Sequence, residues 1–314
     1  MYDTVLFYTK RGKEDIKHII DRLRNPKEET DLKTGEVLSC KGTYKNLYVR
    51  ITPTHIFISG SLAKFQNGNN IEMFSRLQAK DAIEHISDVF LIDMGKANVS
   101  GLDFSATIEV NNPTIEYLSL FGSCDNLVKI IFPTTLYYQS ITKTKTKPLE
   151  LCIYDKMAEA SGSCRLPIEH RTVYLLRYEL KLRQRLGKRF GVAEVLGSTL
   201  FTPCFYQQTI TMWAEYYDRI EKHSSIKSNF IDNIQRPDDA WNVFIASLIA
   251  NADRGLFDAY LKDLKKNKVF GRPGDYSRLK NKFKQISSNK SYTDSQDLII
   301  ELDSKIQNIK NNWD

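Results

Sequence analysis

Apolar and polar positions follow two different rhythms along this chain, and the change falls near residue 190. Before it, short runs of β-branched and aromatic residues alternate with polar ones, the period-two signature of strands. Residues 2–8, 44–51, 55–61, 99–110, 116–121, 127–138, 149–156 and 173–182 read as strands, with Thr52-Pro53-Thr54 as the turn of a hairpin. Two amphipathic stretches interrupt them. Residues 13–23 place Ile16, Ile19, Ile20 and Leu23 on one helical face, and residues 75–89 do the same with Leu77, Ala82, Ile83, Ile86 and Val89. Residues 60–70, rich in Gly and Asn, read as a loop. After residue 190 the period becomes helical, over 205–222, 238–252, 256–267, 275–285 and 293–311, with Arg272-Pro273-Gly274 as a breaker. The expectation is an α+β fold: a mostly antiparallel sheet with crossover helices, then a helical C-terminal region. Residues 1–197 would be one domain and 198–314 the other. The stretches 1–95 and 99–190 are expected to be two similar halves, although no residue-level repeat joins them.

Strand parity sorts the side chains further, because alternate residues share a face. In 99–110 the even positions, from Leu102 to Val110, are apolar and Asp103 projects from the opposite side. In 173–182 Tyr174, Leu176, Tyr178, Leu180 and Leu182 form the core face, leaving Arg177, Glu179 and Lys181 on the other. In 149–156 Leu149, Leu151 and Ile153 face the core and Cys152, Tyr154 and Lys156 do not. If these strands share a sheet, Asp103, Tyr154, Lys156, Arg177 and Glu179 gather on one surface. Two carboxylates there suit Mg²⁺ or Mn²⁺, which would polarise a phosphate. A tyrosine beside them suits a nucleophile, and Lys156 and Arg177 suit phosphate oxygens. The same pattern also describes a solvated sheet face with ordinary salt bridges.

Composition narrows the field. With 314 residues, 41% hydrophobic and 26% charged, the chain supports a packed core and is not globally disordered. No uncharged apolar run approaches the ~18 residues of a membrane span. The N-terminus lacks the pattern of a secretory signal, and a cytoplasmic location is expected. Five cysteines, none in a C-x-x-C pair, are expected to be reduced and buried. The net charge of +7 suggests a polyanionic partner. Its carriers cluster: Lys143, Lys145 and Lys147 in one segment, then Lys181, Arg183, Arg185, Lys188 and Arg189 in another. These cations are the candidate contacts to such a polyanion, and a solvated surface is the alternative for each.

The site residues also sit in a familiar order. Tyr154-Asp155-Lys156 with Glu159, followed by Leu176-Arg177-Tyr178-Glu179, resembles the paired motif of rolling-circle replication initiators of the filamentous-phage and plasmid type that lack a His-hydrophobic-His motif. Upstream, Lys64, Phe65, Gly68 and Asn70 match that family's Lys-Phe-x-x-Gly-x-Asn loop. Val99 to Asp103 resembles its Val-x-Arg-Ile-Asp strand, with Gly101 and Leu102 in place of the arginine and isoleucine. The stretch around Tyr137, Tyr138, Gln139 and Ser140 resembles the family's hairpin before the tyrosine strand, and residues 205–222 its following helix. The likeness spans about residues 2–225.

That resemblance implies a site-specific DNA endonuclease and strand transferase in a bacterial host. Tyr154 would attack an origin phosphodiester, leaving a 5′-phosphotyrosine and a 3′-hydroxyl for a host polymerase. Asp103 and Glu179 would hold the metal, Lys156 would neutralise charge, and Arg177 would orient Glu179 or a phosphate. The origin DNA would be single-stranded or a hairpin. Helicase work would fall to a partner, since neither a Walker A nor a G-x-G-x-x-G motif is present. The histidines, never paired as His-x-His, offer no competing metal motif. A non-catalytic DNA-binding repressor on the same scaffold is the main alternative, and an unrelated phosphoesterase a third.

Overall fold

The computed structural model describes residues 2–12, 16–142, 147–161, 173–226, 234–251, 256–287, 293–295 and 297–312. The chain begins with β1 (Tyr2–Lys10), a short α1 (Lys17–Ile20), and a meander of β2 (Arg24–Thr30), β3 (Val37–Tyr44), β4 (Leu47–Ile51) and β5 (His55–Ser61). Two helices follow, α2 (Leu62–Asn67) and α3 (Arg76–Phe90). Next come β6 (Asn98–Val110), α4 (Thr114–Leu120), β7 (Phe121–Cys124), β8 (Leu127–Phe132), β9 (Thr135–Ser140), β10 (Leu149–Asp155), α5 (Lys156–Ser161) and β11 (Tyr174–Arg183). After α6 (Leu186–Phe190) and a 3₁₀ turn, α7 runs over Pro203–Asp218.

Ten of these strands form one antiparallel sheet in the order β2-β3-β4-β5-β1-β6-β11-β10-β9-β8. Read outward from the centre, one side is β1-β5-β4-β3-β2 and the other β6-β11-β10-β9-β8. Each half is therefore a first strand, a short helix and a four-strand meander whose last strand returns beside the first. The expected pair of similar halves is present in the topology, joined through β1 and β6.

One face of the sheet is the core. Leu102, Phe104, Ala106, Ile108 and Val110 are buried, as are Leu176, Tyr178, Leu180 and Leu182, in keeping with parity. Tyr174, at the strand end, is 44% exposed instead. Helix α7 packs on this face through Tyr206, Ile210, Trp213 and Tyr217, all buried. The Tyr178 hydroxyl donates to the Trp213 carbonyl at 3.1 Å, and Tyr2 meets Phe104 and Tyr206 edge to face. Helix α3 starts with a capping box, in which Ser75 and Gln78 satisfy each other's backbone N–H, and buries Ala79, Ala82, Ile83, Ile86 and Phe90.

Several elements depart from the sequence reading. Residues 60–70 are not simply a loop. Ser61 caps α2 by accepting from the Lys64 N–H at 3.1 Å, and Gly68 ends it at φ 78°. Residues 116–121 are mostly helix α4, because Thr114, Tyr117 and Leu118 bury one helical side after Pro113. Residues 127–138 split at Pro133 into the β8–β9 hairpin. Strands β2 and most of β3 were not expected; β2 is exposed throughout and shows no apolar alternation. The strand expected over 44–51 divides at Lys45, which lies at φ 50°. Of the helix expected over 13–23, only α1 forms among the described residues.

The chain divides into two compact units. The first comprises Met1–Leu118, Cys124–Arg219 and Lys305–Asp314 and holds the large sheet; the second comprises Ser119–Ser123 and Ile220–Ser304. The second unit is helical, with α8 (Pro237–Asn251), α9 (Leu256–Lys266), α10 (Pro273–Ser287) and the start of α11 (Asp297–Asn311). Its short strands are β12 (Ile220–Lys222), which pairs with β7, and β13 (Ser224–Ile226), which pairs with β14 (Thr293–Ser295). Phe257 and Phe283 stack with centroids 3.7 Å apart. No helix among the described residues is long and apolar enough to cross a membrane.

Candidate active site

Register gathers the chemistry on the face opposite α7. Arg177 pairs with Thr107 and Tyr154, Glu179 with Ser105 and Cys152, and Lys181 with Asp103 and Glu150. Tyr137 and Thr135 of β9 sit opposite Cys152 and Tyr154. The strands thus bring Asp103, Tyr154, Arg177, Glu179 and Lys181 onto one surface, with Lys156 at the end of β10.

Arg177 is the centre of this arrangement and is 2% exposed. A guanidinium has five N–H donors, and here each has an acceptor. Nε donates to Glu179 Oε1 at 2.8 Å. Nη1 donates to the Asn70 carbonyl and to Thr107 Oγ1 at 2.8 Å, and Nη2 to Asp3 Oδ2 and to Ser105 Oγ at 2.7 Å. Burial works against its charge, but Asp3 and Glu179 more than offset that and hold its pKa above the usual value. With every donor engaged, Arg177 positions its neighbours and has no donor left for a phosphate.

Tyr154 donates its phenolic hydrogen to the same Glu179 oxygen, at 2.9 Å. Burial, and next the Glu179 charge, push the Tyr154 pKa well upward, so the resting side chain is the neutral phenol. Lys156 is 2% exposed, donates to Asn70 Oδ1 at 3.0 Å and to Glu159 at 2.6 Å, and lies 6.0 Å from the Tyr154 ring centroid. Burial and then Arg177 lower its pKa. Asp155 does not face the site; its carboxylate accepts from the Ala158 N–H and caps α5.

Lys181 bridges Glu150 at 3.2 Å and Glu179 at 3.5 Å. It also lies 5.8 Å from the Tyr137 ring, beside Cys152, whose thiol burial pushes up to about 12. Cys40 and Cys124 are buried as well; Cys204 is exposed, and Cys164 lies outside the described residues.

Asp103 is gripped by Arg183, whose Nη2 donates to Oδ2 at 2.8 Å and whose Nη1 reaches Oδ1. The space for this comes from Gly101, where an added Cβ would lie 3.0 Å from Arg183 Cδ. The arginine missing from the β6 motif is thus replaced in space by one from β11. For a divalent cation this matters. Asp103 and Glu179 are diagonal neighbours rather than a facing pair, and each is already neutralised by arginine. No cluster of three or more His, Cys, Asp or Glu suited to a metal exists among the described residues. A hard cation would have to displace Arg183 from Asp103, so this donor set does not fit one as it stands.

Sequence reasoning missed Asp3, Ser105 and Thr107. It quoted Asn70 only as part of a loop motif, yet the Asn70 side chain joins Asp3 and Lys156 and its backbone carbonyl accepts from Arg177. Among the other candidate cations, Arg185 and Lys188 are exposed. Arg189 donates to the Pro148 carbonyl and Lys147 to the Thr142 carbonyl. Lys143 and Lys145 lie outside the described residues.

Fold and site together define an α+β protein that gathers a tyrosine, carboxylates and cations on one face of an antiparallel sheet. The model of the Phage_CRI family, described as the N-terminal part of a phage replication-associated protein, matches residues 38–202, and the chain belongs to that family. The matched segment contains every residue of the site except Asp3. Membership supports a role in phage replication initiation. None of the curated proteins compared matches the chain. Among solved structures, the di-domain ARO/CYC BexL from the BE-7585A biosynthetic pathway aligns at 11% identity and a TM-score of 0.22, covering 62% of this chain and 79% of its own. A likeness that low carries no argument.

Proposed function

We propose that this protein nicks and rejoins origin DNA during rolling-circle replication, with Tyr154 as the nucleophile. The observation that carries this reading is the Tyr154 O–H···Oε1 Glu179 hydrogen bond, held in line by Arg177. A phenol at its ordinary pKa is a poor nucleophile and needs a base within hydrogen-bond reach. Glu179 is that base. As the Tyr154 oxygen forms its bond to phosphorus, its proton passes to Glu179 and the P–O3′ bond breaks. The products are a 5′-phosphotyrosine and a 3′-hydroxyl, the latter protonated from solvent and offered to a host polymerase. Reversal, with the 3′-hydroxyl attacking phosphotyrosine, rejoins the strand without ATP. Lys156 supplies positive charge beside the phosphate. No step above passes through Mg²⁺ or Mn²⁺, which the arginine-held carboxylates of this face do not fit. Strand separation belongs to a helicase partner.

The test is incubation with end-labelled single-stranded origin DNA, with and without Mn²⁺, followed by a denaturing gel. Tyr154→Phe should abolish both cleavage and the covalent adduct while DNA affinity stays near the wild-type value, and Tyr137→Phe should retain both. An adduct persisting in Tyr154→Phe would move the nucleophile elsewhere. Tight origin binding with no adduct in the wild type would favour the non-catalytic repressor.

A further inference from the structure

The face that carries Tyr154 continues past the centre of the sheet. Leu6 pairs with Gly101, and Gly101 with Arg183, so the surface runs on across β1, β5 and β4. There the register sets Tyr8 opposite Phe57, Phe57 opposite Arg50, and Lys10 opposite His55. Tyr48 lies one step along β4, on the same side as Arg50. The Tyr8 and Phe57 rings stack with centroids 6.4 Å apart and planes at 28°. His55 lies 6.0 Å from Phe57 and 6.2 Å from Tyr8, and the Arg50 guanidinium lies 5.1 Å from the Phe57 centroid.

The opposite side of these strands is a normal core: Val5, Phe7, Val49, Ile51, Ile56 and Ile58 are all buried. Alternation would leave polar residues on the outer side. Four rings stand there instead. Tyr48 is 43% exposed, Arg50 and Lys10 are exposed, and Tyr8, His55 and Phe57 are half-buried. Aromatic area held at the surface in one patch marks an interaction site.

Charge selects the partner. Arg50 and Lys10 flank the rings, and Glu29 of β2, an acid that feels the Arg50 charge, is committed to Lys41 and Ser39. Rings interleaved with cations suit a single strand of nucleic acid, whose bases offer π-faces and whose phosphates offer charge; a duplex hides its bases.

We infer that Tyr8, Tyr48, Arg50, His55 and Phe57 form a base-stacking platform for single-stranded DNA leading to or from Tyr154. This rests on reading the Tyr154 face as a DNA site. The test uses the full chain and fluorescein-labelled oligothymidylate, followed by anisotropy at fixed salt. Tyr48→Ala and Arg50→Ala should each weaken binding about tenfold, within the range for loss of one stacking or cation contact. Cross-linking of the wild-type protein to iodouracil-substituted oligonucleotide should label peptides containing Tyr8, Tyr48 or Phe57, a result that does not depend on how any variant folds. Wild-type affinity in both variants with cross-links elsewhere would overturn the inference. So would a dimer, seen by ultracentrifugation, that Tyr48→Ala dissociates, since the face would then serve a second copy. The nicking reading is judged separately in Tyr154→Phe. If Tyr154→Phe still nicks while the cross-links fall on the platform, the platform stands and Tyr154 falls. If Tyr154→Phe is inactive and the platform variants bind normally, the reverse holds.

Discussion

Arg177 and Asp3 show how much of this site is held by ion pairs inside the protein. Asp3 is 7% exposed, and its carboxylate receives Arg177 and Asn70. Burial opposes its charge, but Arg177, with Ser61 and Asn70, wins and lowers its pKa. Removing one partner of a buried pair leaves the other uncompensated, at a cost of about 3 kcal/mol. Asp3→Asn leaves Arg177 its Glu179 partner and should therefore destabilise the protein by somewhat less, about 2 kcal/mol in urea unfolding at pH 7, and should slow nicking through the Arg177–Glu179 contact. The sign with pH follows from the depressed folded pKa. The stability that Asp3 contributes is complete above its unfolded value near ~3.9 and is lost as pH falls through the folded value. The gap between wild type and Asp3→Asn should accordingly shrink below about pH 4; an undiminished gap there would contradict the pairing. Parity alone exposed Tyr154, Arg177 and Glu179, because their strands have clean apolar faces. It could not expose Asp3, because nothing local in residues 2–8 places β1 beside β6.

At the scale of elements, α2 carries the lesson. A Gly/Asn-rich run reads as loop on composition, yet Ser61 and Gly68 are helix caps, and two residues past Gly68 Asn70 accepts from Lys156 through its side-chain oxygen and from Arg177 through its backbone carbonyl. Gly68 sits at φ 78° with nothing within 4 Å of an added Cβ. A substitution there costs backbone strain alone. Gly68→Ala should lose about 1 kcal/mol in urea unfolding, and Gly68→Asn should recover part of it, since asparagine tolerates the left-handed region better. Equal stability of Gly68→Ala and wild type would remove the cap from the account. The misread 116–121 has the same origin in tertiary structure. Its apolar residues fit either period over six positions, and burial of Tyr117 and Leu118 beside Thr114 settles it as helix up to Leu120.

Across the whole molecule, the sheet repeats one topology twice. The repeat was legible only as a rhythm of strands, because strand order depends on pairings between distant segments. The cations divide in a way the sequence could not show. Lys181 and Arg183 are spent on Glu150, Glu179 and Asp103, whereas Arg185 and Lys188 are exposed and take part in no ion pair among the described residues. A phosphate contact releases condensed counterions only if the cation is not already neutralised by its own protein. Arg185→Ala and Lys188→Ala should each flatten the log–log salt dependence of origin binding by about 0.7–0.9, with the fold intact. Lys181→Ala and Arg183→Ala should leave that slope nearly unchanged and instead lower stability, Arg183→Ala the more, because it strands the buried Asp103 carboxylate while Glu179 keeps Arg177 when Lys181 is lost. Titrations across a range of salt concentrations separate the two classes. A slope that falls equally for all four variants would mean that the ion pairs open when DNA binds, and that the resting arrangement of this face is not the one that meets phosphate.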